Sequence, residues 1–357
     1  MSIPRRGRLL TRLSIWLTAM KVDITLTGQP SDVDVAVSAE ERGYDGAWLP
    51  EVQHDPFPLL AVAASRTEKL ELGTAIAVTF ARNPMSLAVV ANDLALYSKG
   101  RFLLGVGSQV KAHITKRFSM PWSAPAERMR EYVLAMRAIW HSWSSGEPLR
   151  FAGEFYTHTL MTPFFNPGPN PYGNPPIILA GVGPRMTEVA GEVADGFFVH
   201  GFTTERYMRE VTLPALHKGR AAAGHDDLAG FEISGMPFIL TGRNEEQIKA
   251  ADAAVRRQIA FYGSTPAYKP VLELHGWGEL NGELNAMSKR GEWEAMGRLI
   301  TDEMLHEIAI VAPPEQVAER LLAQYGDIFT RTGFYAPYAV PDGFWEPIIE
   351  ELKAADH

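Results

Sequence analysis

The chain has no cysteine, and this absence excludes several kinds of chemistry at once. A disulfide framework, a thiolate metal site and a cysteine nucleophile all depend on that residue. A metal site without thiolates needs three or more converging ligands. Only Glu51, His54 and Asp55 cluster in the sequence, and no ligand spacing accompanies them elsewhere, so we expect no metal. A reducing cytoplasm is the simplest compartment for such a chain.

An excess of positive charge and long apolar runs are also missing. The 34 basic and 42 acidic residues give a formal net charge of -8, which argues against nucleic acid as a partner. No apolar run approaches the ~18 residues of a membrane span, so we expect no membrane partner. Residues 1–19 carry four arginines before a short apolar stretch but fit an export signal poorly. We expect a disordered N-terminal extension there and one domain over 20–357.

Short apolar strands alternate with helical periodicity from residue 21 almost to the end of the chain. Eight strands are predicted, at 21–26, 46–49, 70–76, 101–106, 177–180, 196–199, 233–241 and 332–335. Because strands separated by helices form parallel sheets, and eight units follow without a change in composition, we predict a closed (β/α)8 TIM barrel. Two stretches interrupt the pattern, at about 147–176 and 263–302, and we expect insertions at the C-terminal face whose aromatic residues serve packing or substrate contact.

Two segments combine a short strand, glycines and a following helix: FLLGVGSQVKAHI from Phe102 and IILAGVGPRMTEVAGEVADGFF from Ile177. Glycines let the backbone approach a ligand, and the free N–H groups of the next helical turn favour an anion. Either segment alone could be a purely structural turn. The pair favours a phosphate-bearing cofactor, and nearby basic residues support it: Lys111, His113 and Arg185.

Titratable residues follow the second predicted strand, in the run Pro50-Glu51-Val52-Gln53-His54-Asp55. In a parallel barrel the active site lies at the carboxyl ends of the strands. A carboxylate and an imidazole at that end can act as acid and base or hold the polar edge of a cofactor. Glu51 and His54 are therefore candidate catalytic residues, with simple packing as the alternative for each. Asp55 is better explained as the cap of the next helix.

Three motifs, LGTAIAVTFARNP, GRFLLGVGSQ and AGVGPRMTEVAGEVADGF, follow one another along the chain. In this order and spacing the chain resembles the luciferase-like monooxygenase superfamily, and more closely its branch that uses the deazaflavin coenzyme F420. The resemblance extends from about Met20 to the C-terminus. Other stretches, such as SQVKAHITKRFSMPW, resemble an actinobacterial subgroup of F420-dependent oxidoreductases of unassigned substrate.

The resemblance implies where the cofactor binds. It implies a cis peptide bond between Ala75 and Ile76 that backs the deazaflavin ring, and it places Glu51 beside the polar edge of that ring. It assigns the ribityl and phosphate portion to Ser108, Gln109 and His113, near which Lys111 also stands. The phosphate cradle that it implies consists of Gly181, Val182, Gly183, Pro184, Arg185 and Met186.

The resemblance also implies a function: hydride transfer between C5 of F420 and an organic small-molecule substrate. Sugar-phosphate dehydrogenases of this superfamily carry a histidine and a glutamate where this chain has Val52 and Val110, so we expect a more apolar substrate. One alternative is a two-component monooxygenase that uses FMN, and another is a non-catalytic flavin-binding partner subunit. Members commonly pair, so a homodimer is expected.

Overall fold

The computed structural model describes residues 20–355, so the expected extension at 1–19 lies outside the described residues. The strands of the described residues are β1 Lys21–Thr25, β2 Gly46–Leu49, β3 Glu71–Thr74, β4 Ala77–Val78, β5 Phe102–Gly107, β6 Phe151–Ala152, β7 Thr157–His158, β8 Ile177–Ala180, β9 Gly196–Val199, β10 Glu232–Gly235, β11 Phe238–Leu240, β12 Ala309–Val311 and β13 Arg331–Thr332.

The α-helices of the same residues are α1 Asp32–Glu41, α2 Pro56–Arg66, α3 Pro84–Tyr97, α4 Pro125–Ser145, α5 Pro184–Val193, α6 Glu205–Tyr207, α7 Leu213–Ala222, α8 Glu245–Gly263, α9 Lys269–Leu274, α10 Gly278–Lys289, α11 Trp293–Gly297, α12 Asp302–Ile308, α13 Val317–Tyr325 and α14 Glu346–Ala354. Across residues 20–355, none of the helices combines the length and apolarity that crossing a bilayer requires.

The parallel strands close into a barrel with eight positions. Going round, these are β1, β2, β3 with its continuation β4, β5, β8, β9, β10 and β13. The pairing of β1 with β13 and of β3 with β5 completes the ring. The predicted (β/α)8 TIM barrel is therefore confirmed. Its third position is interrupted at Ala75 and Ile76, within what the sequence predicts as one strand.

One predicted strand, 233–241, divides in the structure. Its first half is the barrel strand β10, whereas its second half, β11, leaves the barrel and pairs with β12. The division falls at Pro237, which has no N–H to donate to a sheet ladder. Strand β12 was not predicted. Of the two expected insertions, 147–176 contains the small antiparallel hairpin β6–β7, and 263–302 is largely helical, with α9, α10 and α11.

Several helices begin at side chains that cap their free N–H groups. Asp55 accepts from the Phe57 N–H at 3.0 Å and so caps α2, as the sequence indicates. Asn83 caps α3 by accepting from Ser86 at 2.9 Å. A proline follows each cap at the first helical position, where its missing N–H has no cost. These caps fix where the chain turns back after β2 and β4.

The amino-terminal end of the barrel is filled by an ion network. Arg331 is fully buried, and its guanidinium contacts Asp23 at 2.7 Å, Glu71 at 2.9 Å and Glu232 at 3.0 Å. Above the network, Trp48 donates from Nε1 to Asp23 at 2.8 Å. A buried charge needs such partners, and together these side chains plug this end of the barrel. The carboxyl end is left for a ligand.

Candidate functional site

The two glycine turns lie side by side. Strand β5 pairs in parallel with β8, with Leu104 opposite Ile177 and Val106 opposite Leu179. Parallel paired strands end at the same edge of a sheet, so the turn at Gly107–Gln109 adjoins the turn at Gly181–Gly183. Segments that are distant in sequence therefore form one surface at the barrel mouth.

The turn after β8 leaves its backbone open to a ligand. Gly183 has a φ of +84° and precedes α5, and an added Cβ there would meet nothing within 4 Å. Gly181 is packed closely, because a Cβ would lie 2.5 Å from Cγ of Met186. The first N–H groups of a helix have no intrahelical acceptor, and at α5 they face this open turn. The residues present thus fit the expected phosphate cradle.

The basic residues near the turns differ in how far their charge is already compensated. Arg185 contacts Glu127 at 3.0 Å and Glu188 at 3.2 Å. The hydrogen bond that Arg185 donates to Glu127 is the main reason that the pKa of Arg185 is raised. Lys111 and His113 are exposed and form no ion pair within residues 20–355. Lys111, unlike Arg185, therefore has no ion-pair partner among residues 20–355.

The turn after β5 is held in a left-handed conformation. Gln109 has a φ of +59°, and its Oε1 accepts from the Val110 N–H at 2.9 Å. Ser108 donates from Oγ to the carbonyl of Gln109 at 3.1 Å. These local bonds orient Ser108 and Gln109, two of the expected cofactor-binding residues, at the end of β5.

Glu51 is nearly buried and occupied by protein partners. Its side chain is 7% exposed, and Oε2 accepts from Arg82 Nη1 at 2.6 Å and from the Val78 N–H at 2.8 Å. Arg82 also contacts Asp55 at 2.7 Å. Burial opposes the charge of Arg82, but its hydrogen bonds to the two carboxylates outweigh burial and raise its pKa. Glu51 therefore ties the loop after β2 to β4.

The wall beside Glu51 is made of small and apolar groups. The peptide bond between Ala75 and Ile76 is cis, as the resemblance implies. The Glu51 N–H donates to the Ile76 carbonyl at 3.3 Å. Gly107 packs against Ile76, because an added Cβ would lie 2.9 Å from Cγ1 of that side chain. A flat ring could rest against such a wall.

His54 stands apart from these contacts. It is exposed in the loop after β2, it packs near Gly28, and it makes no hydrogen bond with the described residues. All the expected site residues follow β2, β3, β5 or β8, which are four consecutive positions of the barrel. The structure thus gathers them on one half of the mouth. No group of three or more potential metal ligands occurs in the part of the chain that the structure describes.

The other half of the mouth carries an aromatic cluster, and of its residues the sequence pointed only to Tyr268, an aromatic residue of the insertion at 263–302. His200 follows β9 and stacks on Tyr268 with ring centroids 4.4 Å apart, and Tyr262 meets His200 edge-on at 4.6 Å. The hydroxyl of Tyr262 lies 2.8 Å from that of Tyr335. We call these four residues the aromatic cluster. In the sequence, His200 directly follows a predicted strand, and this position indicates a residue at the barrel mouth.

The ring of His200 is neutral and oriented. Its Nδ1 accepts from the Phe202 N–H at 3.0 Å, so the proton of the neutral ring is on Nε2. Burial lowers the pKa of His200 to about 4. His200, Tyr268 and the turn Gly181–Gly183 also line a small cavity of about 40 Å³.

The sequence matches the family model described as luciferase-like monooxygenase over residues 13–332. The chain belongs to this family. An uncharacterized protein of Mycobacterium tuberculosis is 54% identical over 303 residues, which covers 85% of this chain and 89% of that protein. An F420-dependent glucose-6-phosphate dehydrogenase of Nocardia farcinica is 32% identical over 207 residues, which covers 54% of this chain and 59% of that protein.

A solved structure of this family fold is the coenzyme F420 dependent tetrahydromethanopterin reductase from Methanopyrus kandleri. Its TM-score is 0.74 at 20% identity, and the match covers 94% of this chain and 98% of the reductase. Solved structures with the same fold also include a Pseudomonas putida monooxygenase in complex with FMN, with a TM-score of 0.63 at 16% identity over 94% of this chain and 98% of that one. Sequence relatives therefore include an F420-dependent oxidoreductase, and the fold is shared with an FMN enzyme.

Proposed function

We propose that this luciferase-like protein is an F420-dependent oxidoreductase that transfers a hydride between C5 of the deazaflavin and an organic, rather apolar substrate. The adjacency of the two glycine turns, beside the Ala75–Ile76 wall, carries the proposal. It gives one half of the barrel mouth a flat apolar end and an anion-binding end. A ring joined to a phosphate by a flexible chain needs that combination.

Each part of the cofactor has residues that would hold it. Ala75 and Ile76 would back the ring, and Ser108, Gln109, Lys111 and His113 would line the chain that joins the ring to the phosphate. The phosphate would meet the α5 turn, made by Gly181, Val182, Gly183, Pro184, Arg185 and Met186. When bound, the deazaflavin supplies C5, which accepts or releases a hydride.

The protein's own residues would handle the proton. Glu51 already accepts from Arg82 and Val78, so we assign it to holding the wall beside the ring. His54 is exposed and free of hydrogen bonds to the described residues, so its ring nitrogens can exchange a proton with substrate and solvent. We therefore propose His54 as the acid–base group.

A His54→Ala variant tests that role. General acid–base groups contribute at least ~100-fold, so kcat should fall by about that factor while F420 affinity stays near that of wild type. Steady-state kinetics and an F420 titration on the same preparation measure the two quantities. A variant that keeps more than about a tenth of the wild-type kcat would reduce His54 to a surface residue.

The substrate should be less polar than a sugar phosphate. Val52 and Val110 are 60% and 51% exposed, at the positions where the resemblance implies a histidine and a glutamate in sugar-phosphate dehydrogenases. Exposed apolar groups at a ligand entrance favour an apolar partner.

The test of the function is a substrate screen that follows the absorbance of F420 near ~420 nm while oxygen is monitored. We expect F420-dependent turnover of apolar carbonyl or alcohol compounds without oxygen consumption. Oxygen consumption with reduced FMN would instead identify a two-component monooxygenase. Failure to bind either cofactor would identify a non-catalytic partner subunit.

A further inference from the structure

The segment that follows β5 is basic and contains no acidic residue. Between Asp93 and Glu127 the sequence has no aspartate or glutamate. Lys111, Lys116 and Arg117 are exposed, and none of them forms an ion pair within residues 20–355. In a protein with a formal net charge of -8, a local excess of positive charge on one loop favours a negatively charged ligand there.

Arg117 places this charge close to the wall beside which we propose the deazaflavin ring. Its Nη2 donates to the Val52 carbonyl at 2.7 Å. Val52 follows Glu51, whose N–H donates to the Ile76 carbonyl at 3.3 Å. Two hydrogen bonds therefore connect the guanidinium to the Ala75–Ile76 wall through the loop after β2. A guanidinium has five N–H groups, so its bond to Val52 leaves donors for a ligand.

Two exposed valines accompany these cations. Val52 is the residue that Arg117 contacts, and both Val52 and Val110 are exposed. Val110 directly precedes Lys111, and its carbonyl accepts from the His113 N–H at 3.1 Å. Exposed apolar side chains next to exposed cations suit a ligand that combines an apolar body with one anionic group.

We propose that the surface formed by Val52, Val110, Lys116 and Arg117 binds the substrate, and that the substrate is an amphipathic carboxylate. Its apolar body would rest on the two valines, and its carboxylate would pair with Arg117 and Lys116. The carbonyl or alcohol that reacts would be a second group of the same molecule. This inference rests on the proposed function and names its substrate class. Arg117 acts here as a binding residue.

Two probes and two arginine variants isolate the contribution of the charge. Hydrocinnamate and hydrocinnamyl alcohol share the same apolar body, but only the first is an anion. Arg117→Gln removes the positive charge and keeps an amide that can donate to the Val52 carbonyl. Arg320→Gln is the matched control, because Arg320 is also exposed and forms no ion pair in the part of the chain that the structure describes, but lies on α13.

Ligand-observed NMR on the full chain, with and without saturating F420, measures the binding of both probes. Hydrocinnamate should bind about fivefold more tightly than the alcohol, a difference of ~1 kcal/mol. Arg117→Gln should remove most of this preference by weakening the carboxylate alone, whereas Arg320→Gln should keep it. Gly183→Asp should also keep it, because the carboxylate is not expected at the phosphate cradle.

The substrate class is wrong if hydrocinnamate does not bind in the millimolar range, if both probes bind equally, or if Arg117→Gln keeps the preference. Loss of hydrocinnamate binding in Gly183→Asp would place the anion at the cradle, and loss of F420 affinity in Arg117→Gln would assign this charge to the cofactor. Either result would also reject the inference. Protein that prefers hydrocinnamate but does not bind F420 would instead reject the proposed function.

Discussion

At the scale of single residues, two neighbouring carboxylates share one arginine but differ in how deeply they are buried. Glu51 is 7% exposed and Asp55 is 51% exposed, and both contact Arg82. Removing one partner of a buried ion pair costs more than removing one at the surface, because the remaining charge stays out of water. The contributions of Glu51 and Asp55 to the free energy of unfolding should therefore differ, although both contact the guanidinium of Arg82.

Glu51→Gln should lower the free energy of unfolding by about 3 kcal/mol and weaken F420 binding, because the wall at Val78 and Ile76 loses its anchor. Asp55→Asn should cost less than ~1 kcal/mol, since asparagine caps a helix as well as aspartate does. Urea unfolding followed by circular dichroism measures both changes. Equal losses in the two variants would contradict the role assigned to Glu51.

His200 should make the folded protein sensitive to acid. Its pKa is lowered from 6.5 to about 4 by burial beside the uncharged Tyr262 and Tyr268. Between these values the unfolded chain binds more protons than the folded one, so the contribution of His200 to stability is complete above pH 6.5 and is lost as the pH falls towards 4. His200→Asn should flatten this part of the stability profile, as urea midpoints between about pH 7 and about pH 5 would show. If the pH dependence of stability is the same in His200→Asn as in wild type, the His200 ring is exposed to water in the folded protein.

At the scale of elements, the turn before α5 carries the cofactor assignment. Gly183 has a φ of +84°, and a side chain there would enter open space. Gly183→Asp should leave the fold intact and abolish F420 binding, because the new carboxylate would block the backbone and repel the phosphate. If Gly183→Asp binds F420 with an affinity within about threefold of wild type, the phosphate does not bind at this turn.

Gly224→Asp provides the control for that variant. Gly224 has a φ of +83°, also has nothing within 4 Å of an added Cβ, and lies after α7, away from the turn. Both substitutions place an aspartate at a positive φ and should lower the melting temperature. Only Gly183→Asp should change the F420 titration.

The alternation of strands and helices could be predicted because each apolar strand and each capped helix carries its own local pattern. The division of 233–241 had a sign in the sequence, Pro237, which cannot donate to a sheet ladder. β12 was missed because its pairing with β11 depends on where the chain goes after the barrel strand ends. Local patterns specify elements, whereas the partners of short strands depend on the assembled fold.

The candidate site was predictable to the same extent. Residues that directly follow β2, β3, β5 and β8 could be named from motifs within each segment. The aromatic cluster joins His200, the nearby pair Tyr262 and Tyr268, and Tyr335, which come from three separate segments. No short motif links them, so only the folded chain brings them together.

At the scale of the whole molecule, a net charge of -8 surrounds a site proposed to bind an anion. Lys111 is exposed and forms no ion pair within residues 20–355, whereas Arg185 is paired with Glu127 and Glu188. Exposed charges are screened within about 8 to 10 Å at 0.1 to 0.15 M salt, so F420 affinity should fall as salt rises. The positive charge of Lys111 would then outweigh the negative net charge of the protein only within this distance.

Lys111→Ala should flatten the salt dependence of F420 binding. Lys249→Ala is the control, because Lys249 is also exposed and unpaired within the described residues but lies on α8. Titrations at several salt concentrations give the slopes. If both variants keep the wild-type slope, Lys111 faces solvent and takes no part in binding.

The central claim is that the half of the barrel mouth formed after β2, β3, β5 and β8 binds F420. Equilibrium titration of the purified full chain with oxidised F420, and separately with FMN, tests it most directly. We predict saturable F420 binding at least about tenfold tighter than FMN binding, a difference of ~1.4 kcal/mol. Tighter binding of FMN, or no saturable binding of F420, would contradict the account.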